Sequence, residues 1–376
     1  MNKDLRVGII GASAGRGWAK DSHVLAVQRL SGLRLEAVAT SDPVSAEAAA
    51  RAFGARTGYG SAAGLLDDAS VDLVTIAVKV PDHRALVLAA IAAGKHIYCE
   101  WPLGRTLAEA AELAAAARAA GVHAAIGLQA RLNPVVQRAR ELVASGAIGR
   151  VLGARILSTT MAFGPDVEPA MAFAEDAANG VTLPTIQGAH TIDCAIAVLG
   201  PLEMAGVLVT TQFPLVQVGD DPIRRTRRTP DHILLQGRFA SGAPVSIEVA
   251  GGRPIAAVPF RFEITGETGS LVLEGGAPRG FQSGRLRLLQ DGREQACEDG
   301  ALAGLPDAAI NVAGLYAALR DDIAHDTYTV PGFEHAARLT RFMDDMLASS
   351  VAGTRMLATD WPGLLSGDRA GSDRPG

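Results

Sequence analysis

The sequence predicts two α/β domains: a doubly wound parallel sheet over residues 1–132, then a second domain over 133–352 with a large, mostly antiparallel sheet. Three observations carry this reading. Up to residue 132, continuous apolar runs (RVGIIGA, LRLEAVATS, VDLVTIAVKV, KHIYCE, HAAIGLQ) alternate with Ala-rich helical stretches. Beyond residue 150 the runs alternate polar with apolar and are punctuated by Gly, Pro and Asp. At about 150 residues per domain, the length of 376 residues allows two to three domains.

Strands that read as continuous apolar runs are buried on both faces, as in a parallel sheet whose right-handed crossovers are helices. The helix at 107–120 carries Glu109, Glu112 and Arg118 at helical spacing in an Ala-rich run, which gives it one wet face. The pattern breaks at Leu132-Asn133-Pro134, and a linking helix follows over 135–145. VLGARILSTT, EMAGVLVTTQF, DHILLQGRFA, APVSIEVAGG, FRFEITGETG, GSLVLEGG and RLRLLQD then read as half-buried strands with one face against helices. Helical segments at 308–325 and 333–350 close the domain, and 353–376 reads as a poorly structured tail whose last residues, SGDRAGSDRPG, lack apolar groups to order them.

Composition narrows the function. With 35 basic and 40 acidic residues the net charge is −5, which gives no whole-molecule footprint for nucleic acid. The run RRTRR within 217–229 reads as a solvated loop. No stretch of about 18 apolar residues is free of charge, so no membrane partner is expected. The opening MNKDLRVGIIGASAG passes directly into a strand, unlike a cleavable signal peptide. Cys99, Cys194 and Cys297 lie far apart with no CxxC pair, which points to a reducing, cytoplasmic setting and no structural zinc. The histidines show no metal-ligand spacing, so no metal site is expected.

The sharpest chemical signal is GIIGASAGRGWA at 8–19, between the first strand and the first helix. Glycines there let the backbone approach a pyrophosphate, and the helix start offers free N–H groups. Gly11, Ser13, Ala14, Gly15 and Arg16 are the candidate phosphate-loop residues, although Gly11, Gly15 and Gly17 give GxxxGxG in place of GxGxxG. The same loop in an unliganded domain would be a tight turn only. An acidic residue at the end of the second strand binds the ribose 2′-hydroxyl of NAD. Here Thr40 and Ser41 stand at that end, and Arg16 offers a charge for a 2′-phosphate. NADP is thus expected ahead of NAD, with Asp42 one place further on as the residue that would reverse the choice.

GIIGASAGRGWA, IAVKVPDH, HIYCEWPLG, IGLQARLNP and GAHTID, in that order, resemble the Gfo/Idh/MocA oxidoreductase family over residues 4–350. GRGWA, Glu100-Trp101, NGV with GAHTID, and PDHILLQG are most similar to the branch containing the yeast galactose-pathway repressor. The resemblance implies a Rossmann domain, then an α/β domain whose open sheet forms a homodimer or homotetramer. It also implies hydride transfer between NAD(P) and a sugar, polyol or related cyclic alcohol. Two acid–base groups of that family are replaced: the Lys of Glu-Lys-Pro is Trp101, and the Asp of Asp-x-Gly-x-His is Ile186. His190 matches the remaining histidine and is the candidate acid–base group, with a buried structural histidine as the other reading. Asp193 would orient it or cap a neighbouring element. By the same resemblance Val78, His83, Glu100, Trp101 and Gln129 line the cofactor. Trp101, Arg131, His190, Asp231 and His232 are the substrate candidates, the last two being equally readable as turn and strand-edge residues. The alternative function is a non-enzymatic, dinucleotide-binding regulator or ligand sensor.

Overall fold

The computed structural model describes residues 4–254, 260–297 and 299–357. The chain forms two units. Unit 1 comprises Met1–Gln129 with Asp299–Ala337, and unit 2 comprises Ala130–Glu298 with Arg338–Gly376.

Unit 1 opens with strands β1 (Leu5–Ile10), β2 (Leu33–Ala39), β3 (Thr57–Tyr59), β4 (Leu73–Ile76), β5 (His96–Cys99) and β6 (Ala124–Ile126). They form one all-parallel sheet in the order β3-β2-β1-β4-β5-β6. Val7, Ile9, Leu73, Val74, Ile76 and Ile97 are fully buried, as strands covered on both faces require. The strand order reverses between β1 and β4, and the carboxyl ends of strands at such a reversal form the ligand crevice of a doubly wound sheet. The crossovers are α1 (Leu25–Arg29), α2 (Pro43–Phe53), α3 (Ala62–Leu66), α4 (His83–Ala92) and α5 (Leu107–Ala120). In α5, Thr106 caps the N-terminus through the Glu109 N–H, Gly121 ends the helix in the left-handed region, and Ala110, Leu113, Ala114 and Ala117 are buried.

Unit 2 holds α6 (Pro134–Ala144) and α7 (Ala189–Leu199), the latter preceded by a π-helical turn at Pro184–Gly188. Its strands are β7 (Val151–Thr159), β8 (Asp166–Val167), β9 (Leu202–Thr210), β10 (Leu215–Val218), β11 (Arg225–Thr226), β12 (His232–Phe239), β13 (Pro244–Ala250), β14 (Phe260–Gly266), β15 (Ser270–Gly275), β16 (Leu286–Gln290), β17 (Arg293–Gln295) and β18 (Arg355–Leu357). Nine of them form one sheet, β17-β16-β15-β14-β7-β13-β12-β9-β18, antiparallel throughout except for β7 beside β13. Alternation sorts the two faces. Ile233 and Leu235 are buried on the face toward α7, whereas Leu157, Leu208 and Leu234 are exposed on the other.

The sequence reading ran the second domain unbroken over 133–352, but the chain returns to unit 1 at Asp299–Ala337. The returning helix α8 (Asp307–His325) buries Ile310, Val312, Leu315, Tyr316 and Leu319 and packs on the turn Ala19–Val24 and on α1. An amphipathic pattern states that a helix covers something, not which sheet it covers. The second boundary falls within α9 (Phe333–Ala352). The tail reading at 353–376 is met at once by β18, which adds to the edge of β9; residues 358–376 lie outside the described residues. The arginine run is not all solvated either, because the Arg227 side chain is fully buried. Among the described residues, no helix is long and apolar enough to cross a membrane, and no cluster of His, Cys, Asp or Glu is suited to a metal ion.

Candidate functional site

In unit 1 the phosphate-loop candidates sit at the carboxyl end of β1. Gly11 takes a positive φ of 96°, and its N–H donates to the Ala39 carbonyl at 2.9 Å. A Cβ at this position would collide with the Ala77 carbonyl oxygen and the Val78 side chain, so only glycine lets the loop pass the end of β4. Ser13 accepts from the Gly15 N–H at 3.4 Å, and Gly15, Arg16 and Gly17 are exposed. Nothing lies within 4 Å of a Cβ built on Gly17, so open space faces the loop. A close-packed base with open space beyond it is a cradle that fits a pyrophosphate.

At the end of β2, Thr40 donates its hydroxyl to the Asp42 carbonyl at 2.8 Å, and Ser41 is exposed. The Asp42 carboxylate accepts from the Val44 and Ser45 N–H groups at 3.2 and 2.8 Å as the N-cap of α2. It is therefore committed to its own helix. Ser41 is the exposed hydroxyl beside it, while that of Thr40 is engaged with the Asp42 backbone.

At the ends of β4 and β5, His83 is buried between two carbonyls, with Nδ1 2.9 Å from Pro102 O and Nε2 3.1 Å from Val78 O. Burial pushes its pKa below the ordinary value. The neutral ring carries one N–H and donates to one carbonyl at a time. His83 thus ties the turn after β4 to the turn after β5, and its nitrogens are engaged with backbone. Trp101 is buried. Glu100 keeps 15% of its side chain exposed and accepts from His23. Gln129 is buried, and its amide oxygen has no hydrogen-bond partner among the described residues, which leaves an acceptor for a ligand.

In unit 2, His190 is buried on the first turn of α7. Asp193 lies one turn on, on the same helix face, and accepts from Arg131 Nε at 3.1 Å. The Arg131 carbonyl accepts in turn from the Gln137 side chain. The structure therefore brings Arg131, from the turn Gln129–Leu132, to Asp193 on the helix that carries His190. Gly188 is small because a Cβ there would meet the Ile233 side chain at 2.9 Å, which seats this turn on β12. Around it runs a buried chain that sequence reasoning missed: Gln187 Nε2 donates to Ser158 Oγ at 2.9 Å, and Thr191 Oγ1 lies 2.8 Å from the same oxygen.

Two substrate candidates are placed elsewhere. Asp231 is buried and accepts from the Gln212 and Phe213 N–H groups at 2.7 and 2.9 Å, with Arg227 Nη1 at 3.4 Å. Its carboxylate fixes a turn. His232 pairs with Glu248 at 3.0 Å on the sheet face opposite α7, the face where Leu234 is exposed. A strand alternates faces at each residue, so Ile233 toward α7 puts His232 away from it. Also missed were His23, Thr75 and Tyr316, which meet from three separate elements. The available signal was a lone histidine on the apolar face of DSHVLAVQRL.

Residues 5–128 match the oxidoreductase family with NAD-binding Rossmann fold, GFO_IDH_MocA, and residues 134–275 match the Gal80p C-terminal domain. Dehydrogenase aclE of Aspergillus oryzae is 35% identical over 73% of this chain and 78% of its own length. The chain belongs to the Gfo/Idh/MocA oxidoreductase family. Among other Gfo/Idh/MocA relatives, the galactose/lactose metabolism regulatory protein GAL80 of Saccharomyces cerevisiae is 28% identical over 73% of this chain and 67% of its own. A solved super-repressor mutant of Gal80p matches with a TM-score of 0.85 at 24% identity, covering 96% and 99% of the two chains. Levoglucosan dehydrogenase of Pseudarthrobacter phenanthrenivorans is 28% identical over 72% of this chain and 73% of its own. A solved levoglucosan dehydrogenase complex with NADH and L-sorbose matches with a TM-score of 0.80 at 22% identity, covering 95% and 99%. Gfo/Idh/MocA relatives of this chain thus include both sugar dehydrogenases and Gal80 regulators.

Proposed function

We propose that this protein is an NAD(P)-dependent oxidoreductase moving hydride between a nicotinamide dinucleotide and a CH–OH group of a sugar, polyol or related cyclic alcohol. The observation that supports it most is the buried cluster on α7, where His190 shares a helix face with the Asp193–Arg131 pair. A titratable ring kept in such polar company suits acid–base work. The loop of Gly11, Ser13, Ala14, Gly15 and Arg16 would hold the pyrophosphate, with Val78, Glu100, Trp101 and Gln129 toward the nicotinamide half. Thr40, Ser41 and the exposed Arg16 favour NADP over NAD, because Asp42 is committed to capping α2 and Arg16 offers charge to a 2′-phosphate.

The bound nicotinamide supplies the hydride acceptor. His190 would take the alcohol proton on its imidazole, on the helix that also carries Asp193 with its Arg131 partner. One acid–base group contributes about 10²–10⁴-fold in rate, so with the family's Lys and Asp replaced the proton transfer depends on His190. The exposed leucines Leu157, Leu208 and Leu234 support self-association through the open face of the large sheet, as a homodimer or homotetramer.

The second reading, a dinucleotide-binding regulator without turnover, is favoured by Trp101 and Ile186 and by the Gal80p match over 134–275. The test is to measure NADP⁺ and NAD⁺ binding by the purified protein and to screen sugars and polyols for cofactor reduction by absorbance. Turnover on any panel member supports the enzyme. Tight dinucleotide binding with no turnover anywhere supports the regulator. Binding NAD⁺ tenfold more tightly than NADP⁺ would sink the cofactor choice.

A further inference from the structure

Of the buried polar chain of unit 1, only Glu100 enters the reading above. The His23 side chain is fully buried on the turn Ala19–Val24, just past the glycine loop. Its Nε2 lies 2.9 Å from Glu100 Oε1, its Nδ1 lies 3.0 Å from the Tyr316 hydroxyl, and that hydroxyl lies 2.5 Å from Thr75 Oγ1. A carboxylate only accepts, so His23 Nε2 carries the hydrogen. With Nδ1 accepting from the Tyr316 hydroxyl, the Thr75 hydroxyl donates to the tyrosine oxygen. Four elements thus contribute to a chain of donors that all point one way and end on Glu100.

The rings of Tyr98 and Tyr316 hold the imidazole edge-on at 5.0 and 5.7 Å. On the other side, a Cβ on Gly127 would lie 2.9 Å from Glu100 Oε1, so that glycine gives the carboxyl its seat. Among the described residues no lysine or arginine pairs with Glu100. The next residue is Trp101, and the carboxylate is not sealed from the surface. A partly open carboxyl group is therefore fixed at the carboxyl end of β5. In a doubly wound sheet the pyrophosphate sits on the first glycine turn and the adenosine ribose by the second strand. The ends of β4 and β5 face the other half of the dinucleotide.

We propose that Glu100, positioned by His23, sets the redox preference of the dinucleotide site: its charge favours the oxidised, positively charged nicotinamide over the neutral reduced ring. This rests on the dinucleotide reading and holds whether the protein is enzyme or regulator. A fixed charge near a low-dielectric site acts strongly on a neighbouring cation, and the hydrogen bond from His23 holds the carboxylate in place. His23 is a positioning residue here, acting through Glu100.

The experiment measures dissociation constants of NADP⁺ and NADPH, and of NAD⁺ and NADH, with the full chain and no substrate. Glu100→Gln is expected to weaken the oxidised forms about tenfold relative to the reduced forms. His23→Phe should shift that ratio the same way by several-fold, and His23→Gln, which keeps an N–H donor, should restore most of it. If His23→Phe does not fold, Tyr316→Phe and Glu100→Gln carry the comparison. Equal weakening of both redox forms, or an unchanged ratio in Glu100→Gln, would overturn the proposal while leaving the dinucleotide reading standing. A wild-type protein that binds neither form would overturn both.

Discussion

The glycine loop of unit 1 and the polar cluster of unit 2 are both candidate ligand sites, yet they are built on opposite principles. The loop is a backbone feature. Gly11 is required because Ala77 and Val78 stand where a side chain would go, and that constraint lies within a short, recognisable motif. The cluster is a side-chain feature: Arg131 reaches Asp193 across 62 positions, and Ser158 reaches Thr191 across 33. Backbone sites are written locally, whereas side-chain sites depend on partners that only the fold brings together.

The largest expected effect tests the side-chain half. Arg227 is fully buried and donates to Glu175 at 2.9 and 2.7 Å, to the Phe163 and Gly164 carbonyls at 2.6 and 2.8 Å, and faces Asp231. Breaking a buried pair leaves a charge without its partner, at a cost of about 3–5 kcal/mol. Arg227→Met should lose that much in urea unfolding, whereas the exposed Arg225→Ala should stay within about 0.5 kcal/mol. A small loss at Arg227 would mean that the segment around 163–175 repacks freely.

The backbone half is tested next. Gly11→Ala should weaken dinucleotide binding by at least about tenfold, because the loop must move away from the end of β4. Gly15→Ala, whose Cβ meets nothing nearer than Ser13 Oγ at 3.9 Å, should cost less than about threefold. Equal losses, read by fluorescence titration, would remove the steric argument.

The smallest effect is a pH dependence. Burial lowers the pKa of His83, and burial with the nearby His123 lowers that of His96, so the unfolded chain binds protons there before the folded one does. Stability contributed by keeping these rings neutral is complete above an unfolded pKa of about 6.5 and is lost as pH falls through it. Each histidine adds a slope of at most about 1.4 kcal/mol per pH unit. His83→Asn should flatten the decline below pH 6.5 in thermal melts, and an unchanged slope would assign the acid sensitivity to other groups.

The sequence carried the architecture because periodicity is local: period-two runs and Ala-rich helices announce their own elements. It did not carry ownership. Nothing in the pattern of α8 says that Tyr316 belongs with Thr75 and His23, or that 299–337 returns to the first unit. For the site, the glycine loop and the His190 helix were legible as motifs. Asp231 and His232 read as polar residues at a strand start, and only the register shows one fixing a turn and the other facing away from α7. The capping role of Asp42 was likewise visible only in the geometry, through the two N–H groups it accepts from.

The central claim is that this member of the family turns over, with His190 as its acid–base group. The most direct measurement is NADP⁺ reduction across a sugar and polyol panel by wild type and His190→Ala, with dinucleotide affinity measured on both proteins. Turnover is expected to fall by about 10²–10⁴-fold in the variant while dinucleotide binding is retained. A wild type that binds dinucleotide tightly and reduces none across the panel, with His190→Ala indistinguishable from it, would contradict the account and leave the regulator.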